Sequence, residues 1–356
     1  MNLKNYFNIA VIVLFVISSC KKNSAPPHPK PAPDVYVAGT VPIANLNTQA
    51  TYWKNGVATA LANNQSSSAA TAITINGNDV YISGNIVSRD SYLVATYWKN
   101  GVLTKLTDSI SDSNASGIAV IGNDVYVVGY TNDYNGLAHA ICWKNGIATE
   151  LPGNSFDSFA TKVIASGTDV YITGLYNYRN SPTLPVYWKN NTPAILPFTN
   201  AGQFSAIAYT TADDIAINNN GVVYVLGNNA NGSATPTTNY GTAVLWTNGV
   251  VSKFADTTEN TFANAIALKG NDVYIVGSQQ QNVNANVLAT YWKNGTAIKL
   301  MDETANSIAT GIALNGNDIY ISGENANGAL YWKNDVPIQL IKDNVSRTTG
   351  IAIMSH

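Results

Sequence analysis

Polar and apolar residues alternate in short bursts along this chain, and no burst keeps a 3.6-residue period long enough for a helix. Runs such as Val125–Gly129 and Ala140–Trp143 are β-branched, aromatic or small, and each is closed by turn residues. That is the pattern of short strands. The bursts also recur in a fixed order. The stretch "ATYWKNG" stands at Ala50–Gly56, at Ala95–Gly101 and at Ala289–Gly295, and variants of it surround the other tryptophans, Trp143, Trp188, Trp246 and Trp332. Successive tryptophans lie 45, 45, 45, 58, 46 and 40 residues apart. A second segment, "NDVYISG" at Asn78–Gly84, has relatives around Tyr36, Tyr126, Tyr171, Tyr224, Tyr274 and Tyr320. A third, "GIAV" at Gly117–Val120, also occurs in seven versions.

One period reads as four strands. Strand A is Gly117–Ile121, strand B Val125–Gly129, strand C Ala140–Trp143 and strand D Ile147–Leu151. Gly-Asn-Asp joins A to B, and Lys-Asn-Gly joins C to D. Asn-Gly accepts positive φ at both central positions, as a tight hairpin requires. Four short strands repeated every forty to fifty residues predict an all-β fold, a seven-bladed β-propeller of four-stranded blades. Neighbouring Tyr and Trp on strand C point to opposite faces and fill the wedges on either side of a blade. The repeat opens on strand B at Asp34 and ends on strand A at Thr349–Ile353. The C-terminal strand A is therefore expected to pair antiparallel with Val35–Gly39 and close the ring. This removes an exposed sheet edge.

The "DVYVVG" and Tyr-Trp segments resemble the Kelch repeat, which has a Gly-Gly doublet where this chain has Gly129-Tyr130 or Gly84-Asn85. The resemblance implies propeller architecture over Asp34–His356 and carries no catalytic residue across. At the other end of the chain, Lys4, the apolar run Ile9–Val16 and then Ile17-Ser18-Ser19-Cys20 resemble the signal peptide and lipobox of bacterial lipoproteins. That resemblance implies cleavage before Cys20 and acylation of Cys20. It also implies export to the cell envelope and, with Lys21 next, the outer membrane or cell surface. Residues 1–19 are thus expected to be a leader and 20–33 a tether. Five of the thirteen prolines fall in Lys21–Pro33, so these thirteen residues should run extended for roughly 40 Å.

Charge narrows the function. Only 11% of residues are charged and the net charge is −2, which excludes a general binder of nucleic-acid phosphates. The A–B and C–D turns, at one end of every blade, are monotonous. The B–C and D–A connections, at the other end, vary in length and sequence, and binding residues favour such loops on a rigid scaffold. Thirteen acidic residues and five basic ones (Arg89, Lys162, Arg179, Lys342, Arg347) map to that variable end. Seven tyrosines outside the repeat motif map there too: Tyr92, Tyr130, Tyr134, Tyr176, Tyr178, Tyr209 and Tyr240. Tyrosine beside Asn and Asp suits a sugar-binding surface. The candidate ligand-binding residues are Asp108, Asp112, Asp133, Tyr134, Tyr176, Tyr178, Asp213, Asp214 and Tyr240. Asp213 and Asp214 form a carboxylate pair whose side chains should point apart on an extended strand, which argues against shared acid–base work.

Other chemistry is sparse. Of three histidines, His28 falls in the tether, His356 ends the chain and His139 stands alone before strand C, so a His-based metal site or triad is not expected. Cys142 replaces the repeat tyrosine in one copy and reads as a small buried hydrophobe. "NDYNG" at Asn132–Gly136 has oxygen ligands that suit calcium but lacks the spacing of an EF-hand loop. The sequence reads as a monomeric envelope module, without cofactor, that binds a glycan or an envelope protein. The alternative is a polysaccharide hydrolase or lyase using loop carboxylates.

Overall fold

The computed structural model describes residues 31–61, 67–153, 156–177, 182–197, 209–230, 241–252, 254, 259–282, 284–300 and 306–356. Cys20, the tether up to residue 30, Tyr178 and Tyr240 lie outside the described residues. Seven antiparallel sheets follow one another around a ring, each in the order A-B-C-D. Blade 1 has strand A at Arg347–Met354, B at Asp34–Pro42, C at Thr48–Lys54 and D at Val57–Ala60. The A and B strands of the others are Ser68–Asn76 and Asp79–Val87 (blade 2), Ser113–Ile121 and Asp124–Asn132 (blade 3), and Asp157–Ser166 and Asp169–Asn177 (blade 4). Blade 5 has a split strand A, Tyr209–Thr210 with Asp214–Ile217, and strand B at Val223–Ala230. Blade 6 has Asn260–Lys269 and Asp272–Gln280, and blade 7 has Ser307–Asn315 and Asp318–Asn325. Among the described residues no helix is long and apolar enough to cross a membrane.

The closure predicted from the repeat frame is present. Val35 pairs with Ile353, Val37 with Ile351 and Gly39 with Thr348 in one antiparallel ladder, so blade 1 is built from both parts of the chain. The alternation on strand C is also as expected. Trp98 packs with Tyr36, Ala50 and Leu61 of blade 1, whereas Tyr97 packs with Trp143 and Ile141 of blade 3. All seven tryptophans are at most 1% exposed. In place of a single continuous core, the chain has seven inter-blade cores, each roofed by one tryptophan.

Strands A and B run further towards the variable end than the hydrophobic pattern indicates, because their outer halves are polar yet still paired. Strand A of blade 3 begins at Ser113 instead of Gly117, and strand B runs to Asn132 instead of Gly129. The B–C connection of blade 7 shrinks accordingly, with strand B ending at Asn325 and strand C starting at Gly328.

The uniform end is a repeated clasp. Lys99 Nζ lies 2.8 Å from Asp79 and 5.2 Å from the Tyr81 ring centroid, while Asn100 donates to Asp79 and accepts the Val80 N–H. The Lys99 and Asn100 bonds hold the Asp79 carboxyl below its ordinary range. Six blades repeat this pairing of turn Asp with turn Lys. Blade 5 has Val222 and Thr247 at those positions and keeps only the Asn248 bond to Val223 N–H. The turn aspartates thus bind turn amides and lysines, which makes them structural.

Candidate functional site at the channel mouth

Every strand A carries a β-bulge. In blade 2, Ala70 opposes Gly84 and Ala72 opposes Ser83, leaving Thr71 as the extra residue. The bulge presses a strand A carbonyl onto the strand B glycine, where a Cβ at Gly84 would lie 2.1 Å from Ala69 O and 2.8 Å from the Trp98 ring. The last residue of the Asp-Val-Tyr-x-x-Gly motif is therefore dictated by the bulge and the tryptophan together. The bulge lies nearer the D–A end of the strand than the A–B turn. It turns one polar side chain of each blade to the central axis: Thr71, Ser116, Thr161, Asp213, Asn264, Thr310 and Thr349. These line a central cavity of about 270 Å³ to which all seven blades contribute.

The polar ring is tied from blade to blade. Thr71 Oγ1 donates to Ala115 O at 2.6 Å, Thr161 Oγ1 to Ala212 O at 2.6 Å, and Asn264 Nδ2 to Ala309 O at 2.7 Å. The other blades depart from this bond: Thr310 pairs with Thr348 Oγ1, Ser116 donates to Asn114, Thr349 Oγ1 has no partner among the described residues, and in blade 5 an ionised carboxyl at Asp213 has no proton to donate. Asn228 on strand B supplies the missing bond. Its Nδ2 donates to Ala263 O and to Asp213 Oδ2, both at 2.8 Å, while its Oδ1 accepts the Ala263 N–H. Thr211 Oγ1 donates to the same Asp213 oxygen at 2.6 Å. Burial raises the Asp213 carboxyl above its ordinary value; the Thr211 and Asn228 bonds oppose that rise and the charge of Asp214 adds to it.

The next position along strand A is Ala72, Gly117, Ala265, Gly311 or Gly350 in five blades. There is little room for more, because a Cβ at Gly117 would come within 3.0 Å of Lys162 Cα. Blades 4 and 5 carry Lys162 and Asp214 instead. Asp214 is 4% exposed; its Oδ2 accepts the Ile266 N–H at 3.0 Å and its Oδ1 the Ile215 N–H at 2.9 Å. Lys162 Nζ stands 3.6 Å from Asp214 Oδ1. Asp213 and Asp214 border the same cavity, which corrects the expectation that adjacent side chains point apart. The bulge is the reason. Asp213 N donates to Leu226 O while Asp214 is itself the register partner of Leu226, so two residues oppose one and strand alternation is lost.

One step nearer the mouth, strand A again presents open positions, and these include Phe159, the 44% exposed Phe262 and Arg347. Tyr130 stacks edge-on against Phe159 with centroids 5.0 Å apart. Tyr209, where strand A of blade 5 begins, is 50% exposed. The mouth thus combines aromatic surface, hydroxyls and a charged patch at the blade 4–blade 5 seam.

The other predicted site residues are scattered. Asp112 accepts the Leu93 N–H at 2.8 Å and clips one blade to the next, as Asp157 and Asn306 do elsewhere. Asp133 folds the B–C turn by accepting the Asn135 and Leu137 N–H groups. Tyr176 is 3% exposed, donates to Pro152 O at 2.6 Å and packs edge-on against Trp188, so its ring belongs to the inter-blade core. Tyr134 is 97% exposed at a loop tip and Asp108 is exposed. His139 lies inside strand C of blade 3, not before it, with Nδ1 2.9 Å from Glu150. Cys142 is buried and its thiol is pushed up to about 11 by burial, which keeps it unreactive. Among the described residues no three His, Cys, Asp or Glu side chains could together hold a metal ion. Lys162 and the bulge column were missed as site residues. Aligning the seven strand A segments shows both, as a polar position preceding a small one.

The sequence matches no protein-family model and no curated protein. Among solved structures the chain is similar to a polysaccharide lyase, PL25 ulvan lyase, with TM-score 0.54 and 9% identity over 91% of this chain and 93% of that one. An ulvan lyase bound to -[GlcA(1-4)Rha3S]- gives TM-score 0.52 and 9% identity over 90% and 91%. A thermostable family-43 glycoside hydrolase is a looser likeness, at TM-score 0.41 and 10% identity over 64% and 91%. At such identity the ulvan lyases establish a shared fold and nothing about chemistry.

Proposed function

We propose that this protein is a non-catalytic glycan-binding module of the bacterial cell envelope, held there through a lipidated Cys20, with its ligand seated at the loop-end mouth of the central channel. One observation carries the reading: at a single seam, Lys162, Asp213 and Asp214 replace the hydroxyl and small residues of the other blades, beside exposed aromatic surface. A sugar has apolar ring faces for Phe262 and Tyr209 and hydroxyls for the Thr, Ser and Asn ring. An ulvan lyase that shares the fold is bound to -[GlcA(1-4)Rha3S]-, so a glycan ligand is compatible with the fold. The acid excess at this end favours a neutral glycan over an anionic one, because like charges repel at modest salt.

A second reading, a polysaccharide hydrolase or lyase, draws on the contrast between Asp213, pushed towards its protonated form by burial, and Asp214, held by Lys162 and two backbone N–H groups. A buried carboxyl beside one that is paired with a cation offers groups for acid and base roles. The soluble fragment Asp34–His356, titrated calorimetrically against a panel of neutral and anionic polysaccharides, tests both. Binding without release of new chain ends, reduced at least about tenfold by Asp213→Asn or Lys162→Met, supports the module. Product formation abolished by the same changes supports the enzyme. Binding that survives both changes removes the channel mouth from consideration. Cys20→Ala in the full chain should shift the protein to the soluble fraction, and continued membrane association would overturn the anchor.

A further inference from the structure

A second cavity, of about 130 Å³, opens at the same end of the ring in the closure seam between blades 7 and 1. Its floor is Glu324, the residue after the strand B glycine of blade 7, which is 8% exposed. Oε1 of Glu324 accepts from Arg347 Nη1, and Arg347 reaches across from blade 1 with its side chain 64% exposed. Oε2 of Glu324 is buried and has no hydrogen-bond partner among the described residues. At the corresponding position in blades 2 and 5, Asn85 and Asn228 use their oxygens to accept a strand A N–H of the next blade. Glu324 does not take up that role; the residue lines the cavity, and its second oxygen is buried there without a donor.

A buried acceptor without a donor is destabilising, more so when charged. The cavity holds about ten times the volume of roughly 10–15 Å³ that one water needs, so the site can take something larger. Its walls select the occupant. An anion would meet the Glu324 carboxylate. An ammonium would meet the Arg347 guanidinium. Metal coordination is unsupported, since Glu324 is not part of any group of three His, Cys, Asp or Glu among the described residues. What fits is a neutral group that donates to Oε2 and, on the adjacent atom, accepts from the free edge of the Arg347 guanidinium.

We propose that Glu324 and Arg347 form a subsite for a vicinal diol of a neutral sugar, with one hydroxyl donating to Glu324 Oε2 and its neighbour accepting from Arg347. Asn306, Asn325 and Asn344 border the cavity and supply further amide contacts around the ring edge. Burial raises the Glu324 carboxyl while Arg347 lowers it, in keeping with a group that gains from an added donor. The inference rests on the glycan reading for its ligand class. It uses no residue of the central cavity, because Arg347 lies two positions before Thr349 and Ile308 two before Thr310 on their strands. A chain lying across the mouth could engage both.

The test is ligand-observed NMR on the Asp34–His356 fragment with methyl β-glucoside, methyl α-mannoside, 1,2-propanediol, 1,3-propanediol and methylammonium as probes. Saturation transfer is expected to the two glycosides and to the 1,2-diol, and not to the 1,3-diol or methylammonium. Glu324→Gln keeps the volume but places a donor where Oε2 stood, and should weaken glycoside binding at least tenfold. Arg347→Met should weaken it as well, and Arg347→Lys, which keeps a cation beside Glu324, separates lost binding from lost stability. Asp213→Asn should reduce polysaccharide binding at the channel at least about tenfold without altering the lining of the Glu324 cavity, so failure of either site is seen separately. Glycoside binding unchanged in both Glu324→Gln and Arg347→Met, preference for methylammonium, or no binding of any diol to the unaltered fragment would each overturn the subsite.

Discussion

Blades 2 and 5 share a core and little else. Trp98 and Trp246 are both fully buried, Ile82 and Val225 occupy matching places beneath them, and Gly84 and Gly227 meet a bulge carbonyl in the same way. At the turn end, however, blade 2 has the Asp79–Lys99 clasp where blade 5 has Val222 and Thr247. At the axis blade 2 offers the Thr71 hydroxyl, and blade 5 offers two carboxylates with Asn228 restoring the lost bond to Ala263. The comparison separates what the fold requires from what it permits. Tryptophan, glycine and bulge recur in both blades. The clasp is dispensable in one blade of seven, and the bulge side chain is free to become charged once a neighbour takes over its hydrogen bond.

Four experiments would break or sharpen that division. The largest effect should come from deleting Thr348–His356, which removes strand A of blade 1 together with Ile351 and Met354 from two inter-blade cores. Thermal unfolding should show a loss of more than about 4 kcal/mol, and a shift of only a degree or two would mean that the ring does not depend on its seam. Next, Gly84→Ala and Gly227→Ala should each cost about 2–3 kcal/mol by overpacking. Near-equal costs by denaturant titration are expected, and a mild Gly227→Ala would show that blade 5 has relaxed its bulge.

The third experiment concerns Asp213. Its folded-state carboxyl is raised above the unfolded value, so its contribution to stability is fully present below the unfolded value of about 3.8 and is lost as pH rises through the folded one. Asp213→Asn removes that loss. The variant should gain stability relative to the unaltered protein between pH 4 and pH 7, and a constant difference across that range would contradict the desolvation. Thr161→Asp should behave worse, because Leu175 stands where blade 5 has Asn228 and no amide there can take over the bond to Ala212 O. The smallest effect is expected from grafting the clasp into blade 5 with Val222→Asp and Thr247→Lys. Exposed pairs contribute little, so the melting temperature should rise by at most about 2 °C and return to its starting value in molar salt.

Much of this architecture was legible because it is repeated. The Tyr-Trp pair fixes two faces, and the turn asparagines do adopt positive φ, Asn100 at 50° and Gly101 at 82°. The frame from Asp34 to Thr349–Ile353 located the closure. The site was legible only in part, for a physical reason. Hydrophobic periodicity reports which side of a strand is buried between blades, but it does not register a bulge, which shifts the phase by one residue. Asp213 and Asp214 were singled out as a pair and then assigned opposite directions for that reason. Lys162 opens a strand A segment in the repeat pattern and counts there as a charge of the variable end, whereas the longer strand Asp157–Ser166 sets it just after the bulge, beside the axis. Tyr176 misled in the other direction: tyrosine near a variable loop reads as surface, while its hydroxyl here reaches the Pro152 carbonyl and leaves the ring free to pack.

Pairing Val35 with Ile353 also determines which way the ring faces. Strand B of blade 1 starts, and its strand A ends, at the pole that bears the six clasps, so the chain enters and leaves the propeller on the side opposite the channel mouth. The same arrangement makes the starting blade arbitrary. A Gly-Asn link joining residue 354 to residue 34, with new ends cut at any other A–B turn, would yield a permuted ring with the same seven seams.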